Sequence, residues 1–399
     1  MKRLFYIIFM LVVGVFAMAQ KKDISQAKEY IKKGVNLDKA ELLMSNLLKD
    51  SINRNNDKIW LVLFDAIKAQ YDMGNEKLYL KQKYDTASLF ILGKNMFSTL
   101  ESLDSLDMKP DPNGKVKLRY RDKNAALLDE YRANLYNGGV YFISKHNYIE
   151  AYNLFNTYLD CAQQPLFSGY NYSEKDKIMP QAAYWAVYCG YKMKDTKATL
   201  RHTYLALKDT VHYNYMLQYL AETYKLEDDT IRYVDVLKEG FEKYPKFPFF
   251  FPRLIEHYSE LGDYSKVLQI ANRALAVDST NNVFLFAKST VLLNTGKYNE
   301  CINICDSIIA KDGSFADAYL NAGLAYFNQA VDLDKTTQIS QKRRQMILAY
   351  YKKALPYMQK FRTLAPYQKE KWCLPLYTIY LNLNMGIEFD EIDKIITNK

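Results

Sequence analysis

The sequence predicts an all-α chain, a solenoid of short antiparallel helix pairs, and three observations carry that reading. Gly262-Asp263-Tyr264 and Gly296-Lys297-Tyr298 stand 34 residues apart. Unit starts placed at 180, 214, 248, 282 and 316 give four consecutive 34-residue intervals with no gap needed. Inside each unit the apolar residues recur three and four apart on two stretches separated by a turn, which is the pattern of a one-sided helix. A unit this small cannot bury its apolar face alone and does so against its neighbours.

From the N-terminus, residues 1–19 carry a basic start (Lys2, Arg3), an apolar run from Leu4 to Phe16 and a small-residue site at Ala17-Met18-Ala19. That is the layout of a secretory signal peptide, and cleavage would leave Gln20 as the new N-terminus. The apolar run is short for a membrane span, and no later segment is apolar enough for one. Residues 20–131 read as diverged helical repeats. Lys39-Ala40 with Met44 and Leu47 suits a second helix, and Trp60, Leu63 and Phe64 suit the opening of another unit. The array proper spans 132–366. Its first unit holds Leu135, Gly138, Gly139 and Phe142, then Tyr148, Ala151 and Phe155, with His146 where a turn glycine is expected. The next start comes 48 residues later, so the segment at about 161–178 carries 14 extra residues and reads as an ordered loop. The unit at 248 places Phe251, Leu254 and Tyr258 on its first helix, Gly262 in the turn, and Val267, Ala271 and Ala274 on its second. Leu285, Leu292, Cys301, Cys305 and Ile308 repeat the plan. Ala206, Gly240 and Ala274 recur 34 apart where second helices must approach closely, and Pro245 closes its unit. A 19-residue expansion at about 328–346 reads as a prolonged second helix, after which Ala354, Met358 and Pro366 resume the pattern. Residues 367–399 make capping helices from Trp372, Leu376, Ile379 and Tyr380, then Phe389, Ile392 and Ile395.

With Tyr319, Ala322, Gly323 and Tyr326 on a first helix, a turn glycine and a closing proline, the chain resembles the tetratricopeptide repeat family over about 132–366. The resemblance implies a right-handed superhelix of about eight helix pairs, of an exported bacterial type. It also implies a concave groove lined by first helices. Carried onto this chain, the groove positions hold Tyr136, Tyr184, Trp185, Tyr188, Tyr191, Tyr215, Gln218, Tyr219, Glu222, Lys225, Arg253 and Glu256, with Phe249, Phe286 and Asn321 beside them. For Tyr184 to Tyr191 a packing role competes with the groove role. The family's clamp for a C-terminal carboxylate needs Lys and Asn where Tyr184 and Tyr188 stand, so chaperone-tail binding is not expected.

Tyrosine is the most informative residue type, with 35 in 399 residues. Its ring buries area at low entropy cost and keeps a hydroxyl for hydrogen bonding, which suits recognition of a protein or peptide, or stacking on a glycan. The formal charge is +9, and loss of Lys2 and Arg3 with the leader would leave +7. In an exported chain that balance favours anionic surfaces over nucleic acid. One basic stretch, Lys115, Lys117, Arg119, Arg121 and Lys123, would present all its cations on one side if extended, with Val116, Leu118 and Tyr120 on the other. It reads as a patch for an acidic partner or a solvated edge. Cys161, Cys189, Cys301, Cys305 and Cys373 are odd in number, and Cys301 and Cys305 sit one helical turn apart at buried positions. No His or acid at ligand spacing joins them, so neither metal nor cofactor is expected. His146, His202, His212 and His257 form no recognised catalytic set. Asp228-Asp229 reads as a helix cap. The sequence therefore predicts a non-enzymatic interaction scaffold of the bacterial periplasm or cell envelope, with a glycan-binding protein as the alternative and envelope-surface association expected.

Overall fold

A computed structural model describes residues 20–335 and 340–397. The expected leader, residues 1–19, lies outside the described residues. Helices and turns account for the regular structure, with no strand among the described residues. The chain divides into two compact units, the first ending at Thr230 and the second beginning at Ile231.

The first unit opens with α1 (20–33) and α2 (Leu37–Leu47), followed by α3 (Asp57–Tyr79), α4 (Thr86–Asp107), α5 (Arg121–Ser144) and α6 (Tyr148–Asp160). After the inserted segment come α8 (Met179–Met193), α9 (Thr196–Arg201), its short continuation α10 (Thr203–Ala206), and α11 (Tyr213–Leu226); α7 (Tyr172–Lys175) is a single turn within the insertion. Four helices start on a side chain that takes a free backbone N–H: Asn56 for α3, Asp85 for α4, Asn147 for α6 and Asp195 for α9. Three of the turns between paired helices place a side-chain-bearing residue in the left-handed region, Lys81 (φ 57°), His146 (φ 57°) and Lys194 (φ 56°). Helices pack closely where side chains vanish. At Gly190 a Cβ would stand 2.5 Å from the backbone nitrogen of Thr199, so α8 and α9 meet backbone to backbone.

The 161–178 insertion is ordered, as expected of it. It contributes a 3-10 turn (Pro165–Phe167) and buries Leu166, Phe167 and Tyr172 in the core of the first unit. Arg132 pins it. The guanidinium lies between the rings of Tyr158 (3.8 Å) and Tyr172 (3.9 Å), pairs with Asp176 at 2.7 Å, and donates to the Tyr158 carbonyl. A buried arginine held in this way is fully committed to structure.

The second unit runs α12 (Thr230–Lys243), α13 (Phe250–Glu260), α14 (Tyr264–Val277), α15 (Asn282–Asn294), α16 (Tyr298–Lys311), α17 (Ala316–Asp334), α18 (Gln341–Leu364), α19 (Lys369–Asn382) and α20 (Gly386–Thr397). The helices that open units begin at Met179, Tyr213, Phe250, Asn282 and Ala316, within two residues of the starts read from the sequence. The 328–346 expansion lengthens both helices of its pair rather than the second alone: α17 has 19 residues and α18 has 24, against 13 and 14 in α15 and α16. Gly386 does not merely end α19; it opens α20. Within the two units seven helix pairs pack among the described residues, α3/α4, α5/α6, α8/α9, α13/α14, α15/α16, α17/α18 and α19/α20. Cys301 and Cys305 are fully buried, their sulfurs 4.0 Å apart beside Ile308 and Ala322. The contact with Cys305, with burial adding to it, pushes the Cys301 thiol up, which keeps it a neutral packing group.

Candidate functional site: an aromatic face on α8 and α11

Because α8 and α11 each carry aromatic residues three and four apart, their rings converge into one continuous sheet in the first unit. Tyr191 stacks on Tyr219 at 4.5 Å, and Tyr188 and Tyr184 approach the same ring at 5.8 and 6.2 Å. Trp185 joins edge-on to Tyr188 (5.7 Å) and Tyr184 (4.9 Å). Tyr136 rests edge-on against Phe155 at 5.6 Å. Tyr215 lies 6.5 Å from Tyr219 and is 42% exposed. The sheet has a floor and a surface. Tyr184 and Tyr219 are buried, while Tyr136, Trp185, Tyr188 and Tyr191 are half-buried, with Gln218 and Glu222 half-buried beside them and Lys225 exposed.

Polar contacts fix ring orientation. The Tyr191 hydroxyl donates to Glu222 at 2.6 Å, and Lys192 lies over the rings of Tyr188 and Tyr191 at 5.5 and 5.9 Å. Burial, with the neighbouring Tyr148 adding to it, pushes the Tyr188 phenol up to about 12. Tyr219 is pushed higher still by burial and by its Tyr184 contact. These phenols remain neutral donors at any physiological pH. The arrangement can offer flat apolar area with fixed hydroxyls and one indole; it contains no nucleophile and base in mutual reach.

Three members of the face were not among the groove positions read from the sequence. His212 stacks on Tyr184 at 4.2 Å and 13°, and its Nδ1 meets the buried Asp209 carboxylate at 2.8 Å. Tyr148 reaches Tyr188 from the start of α6 at 6.0 Å. A signal existed for Tyr148, since it opens its second helix as Tyr264 and Tyr298 open theirs. Asp209 and His212 lie in the loop before α11, where helical spacing gives no guidance.

The remaining groove positions belong to the second unit. Arg253 lies flat on the Phe249 ring at 3.7 Å and donates to the Phe249 carbonyl at 3.1 Å, while Glu256 is exposed. Phe249 is buried, Phe286 packs on Phe315 at 5.6 Å, and the buried Asn321 donates to Ser289 and Thr290 across to α15.

The basic stretch is extended only as far as Arg119, because α5 begins at Arg121. Its cations do not form one row. Arg119 pairs with Asp107 (2.9 Å) and Asp57 (3.0 Å), Arg121 grips Asp104 in a two-point contact at 2.8 and 2.7 Å, and Lys117 stands 3.7 Å from Asp111. Lys115 and Lys123 are exposed, and so are Val116 and Leu118, while Tyr120 is half-buried against the core of the first unit. A cleft of about 420 Å³ beside it is lined by both signs of charge, Asp57, Asp107 and Asp111 facing Lys115, Lys117 and Arg119. Among the described residues no group of three or more His, Cys, Asp or Glu side chains could hold a metal ion.

No protein-family model and no curated protein matches the chain. Solved structures do. The chain is similar to the C-terminal part of a TPR repeat-containing protein from Cytophaga hutchinsonii, at 10% identity and a TM-score of 0.44, covering 64% of this chain and 92% of that one. A TPR repeats protein from Bacteroides fragilis aligns at 15% identity and a TM-score of 0.29 over 66% of this chain and 98% of its own. The yeast Tom70 structure aligns at 13% and 0.31 over 87% and 89%. The resemblance is to tetratricopeptide-repeat proteins. At these scores the superpositions add nothing beyond that likeness, and the repeat reading stands on the 34-residue spacing and on the helix pairs themselves. In tetratricopeptide-repeat terms, α8 and α11 are first helices of successive units, and His146 occupies the left-handed turn position where that repeat carries glycine.

Proposed function

We propose that this chain is a non-enzymatic scaffold that captures a peptide or protein partner on the aromatic face of α8 and α11. The supporting observation is the ring sheet itself: Trp185, Tyr188, Tyr191 and Tyr215 keep exposed area while Tyr184 and Tyr219 hold them rigidly from beneath. Preformed aromatic surface binds with little ordering cost and supplies hydroxyl and indole groups for hydrogen bonds to a backbone. The likeness to tetratricopeptide-repeat proteins agrees with this reading. We place the protein in the periplasm or cell envelope, on the strength of the basic, apolar and small-residue order of residues 1–19. No helix among the described residues is long and apolar enough to cross a membrane.

The test is in-cell crosslinking from position 225 on fractionated envelope, with mass spectrometry to identify what is joined. One protein should dominate, and Tyr188→Ala with Tyr215→Ala should reduce its capture by at least about tenfold while helicity and melting stay unchanged. Retention on oligosaccharide columns without any protein crosslink would favour the glycan reading. Loss of helicity in the double variant would show these rings to be packing residues.

A further inference from the structure

The 24 residues of α18 include seven cations and no aspartate or glutamate. No other described helix that lacks an acid carries more than two cations. Much of this charge stands on one side. Lys342, Met346, Ala349, Lys353, Pro356 and Lys360 recur four and three apart, so they share a stripe, and all six are exposed. Gln345, Lys352 and Gln359 are exposed beside them. From Lys342 to Lys360 the row is about 27 Å long.

Among the described residues the four lysines of this side, Lys342, Lys352, Lys353 and Lys360, make no ion pair. Asp306 of α16 accepts from the Tyr357 hydroxyl at 2.8 Å, and Glu391 of α20 accepts from Arg362 at 2.5 Å, so these two carboxylates are engaged elsewhere on α18. Lys353 lies over the Tyr326 ring at 5.7 Å, which draws its stem along α17 and leaves its charge unmatched. Between the lysines the surface is low. Ala349 and Pro356 are small, and Met346 is the one large apolar side chain exposed on α18.

We propose that this side of α18 docks an acidic α-helix of a partner protein, the carboxylates meeting Lys342, Lys353 and Lys360 while the helix passes over Ala349 and Pro356. Spacing favours a helix. Lys353 and Lys360 are seven residues apart and Lys342 and Lys353 eleven, about 10 and 16 Å along the axis, and a second helix presents side chains on one face at those same intervals. Packed helices lie about 8–10 Å apart, and the small side chains at 349 and 356 leave room for that approach. Unmatched lysines also steer an acidic partner toward the row before contact. A bilayer is a poorer occupant, because Met346 alone is placed to enter it. A single nucleic-acid strand is poorer too, because no aromatic ring is exposed on α18 for a base to stack on. The row belongs to the second unit and the ring sheet to the first, so it gives the proposed scaffold a second contact.

The test is fluorescence anisotropy of the purified chain with a labelled synthetic helix whose glutamates stand seven and eleven residues apart on one face, beside an isomer of the same composition whose glutamates are spread around the helix. The patterned peptide should bind about tenfold more tightly than its isomer, and added salt should weaken it. Lys353→Glu with Lys360→Glu should lower its affinity by about tenfold or more. Ala349→Trp, which keeps every charge, should also lower it, and circular dichroism should show both variants folded. Failure to bind the patterned peptide overturns the proposal, as does equal affinity for the isomer, or either variant binding unchanged. Heparin or duplex DNA that binds more tightly than the peptide would overturn it in favour of an anionic polymer.

Discussion

Glu101, on α4, is a carboxyl group in the wrong solvent. One of its oxygens is buried without a hydrogen-bond partner, and burial, with the nearby Asp160 charge adding to it, pushes the group up to about 7. The folded state therefore prefers the protonated acid. Its contribution to stability is fully present below the unfolded value near 4.5 and is lost as pH rises through about 7. Glu101→Gln, neutral at every pH, should match the parent at pH 4.5 and gain on it across that window, reaching about 3 kcal/mol at pH 8. Urea unfolding at pH 5 and pH 8 checks this, and an equal difference at both would show that the carboxylate is solvated. Nothing in the sequence singles out Glu101, because its burial depends on the insertion folding back against α4 and α5. Arg132 was equally silent: its partners Tyr172 and Asp176 are 40 and 44 residues away, inside a segment that spacing identifies only as extra.

At the scale of elements, α8 and α9 meet backbone to backbone at Gly190. A methyl group at position 190 would meet Thr199 N at 2.5 Å and Ala198 C at 2.8 Å, and neither is a side chain that could swing aside. Gly190→Ala should accordingly destabilise the first unit by about 2–3 kcal/mol, read as a lowered midpoint in chemical denaturation, even though alanine favours helix. A change below about 0.5 kcal/mol would mean that α9 shifts freely. Helix existence and order were legible from the sequence because the 34-residue period keeps each apolar stripe in phase, and Tyr319, Ala322 and Gly323 sit on a first helix as that phase requires. The interruption at α9/α10 was not legible. Thr196 to Ala206 keeps helical spacing, yet the chain bends at His202, whose ring turns inward to meet Asn156 at 2.8 Å. The basic stretch misled for a related reason: alternation looked like a strand, while three of its five cations had acids waiting on α3, α4 and the preceding loop.

At the scale of the whole molecule, periodicity exposes what repeats and hides what does not. The ring sheet could be anticipated from first-helix tyrosines, whereas its members Asp209 and His212 sit in a connection with no counterpart in other units. The turns show the same division. Gly262 and Gly296 take the left-handed conformation at no steric cost, but the corresponding places in the first unit hold Lys81, His146 and Lys194. A left-handed lysine strains its own backbone, so Lys81→Gly and Lys194→Gly should each raise stability by up to about 1 kcal/mol. Circular dichroism melts of the two variants check this, and an unchanged midpoint would show that the lysines bear no strain there. Stability gained in this way comes from the backbone of the turns alone, so it can be raised turn by turn without touching a residue of the ring sheet.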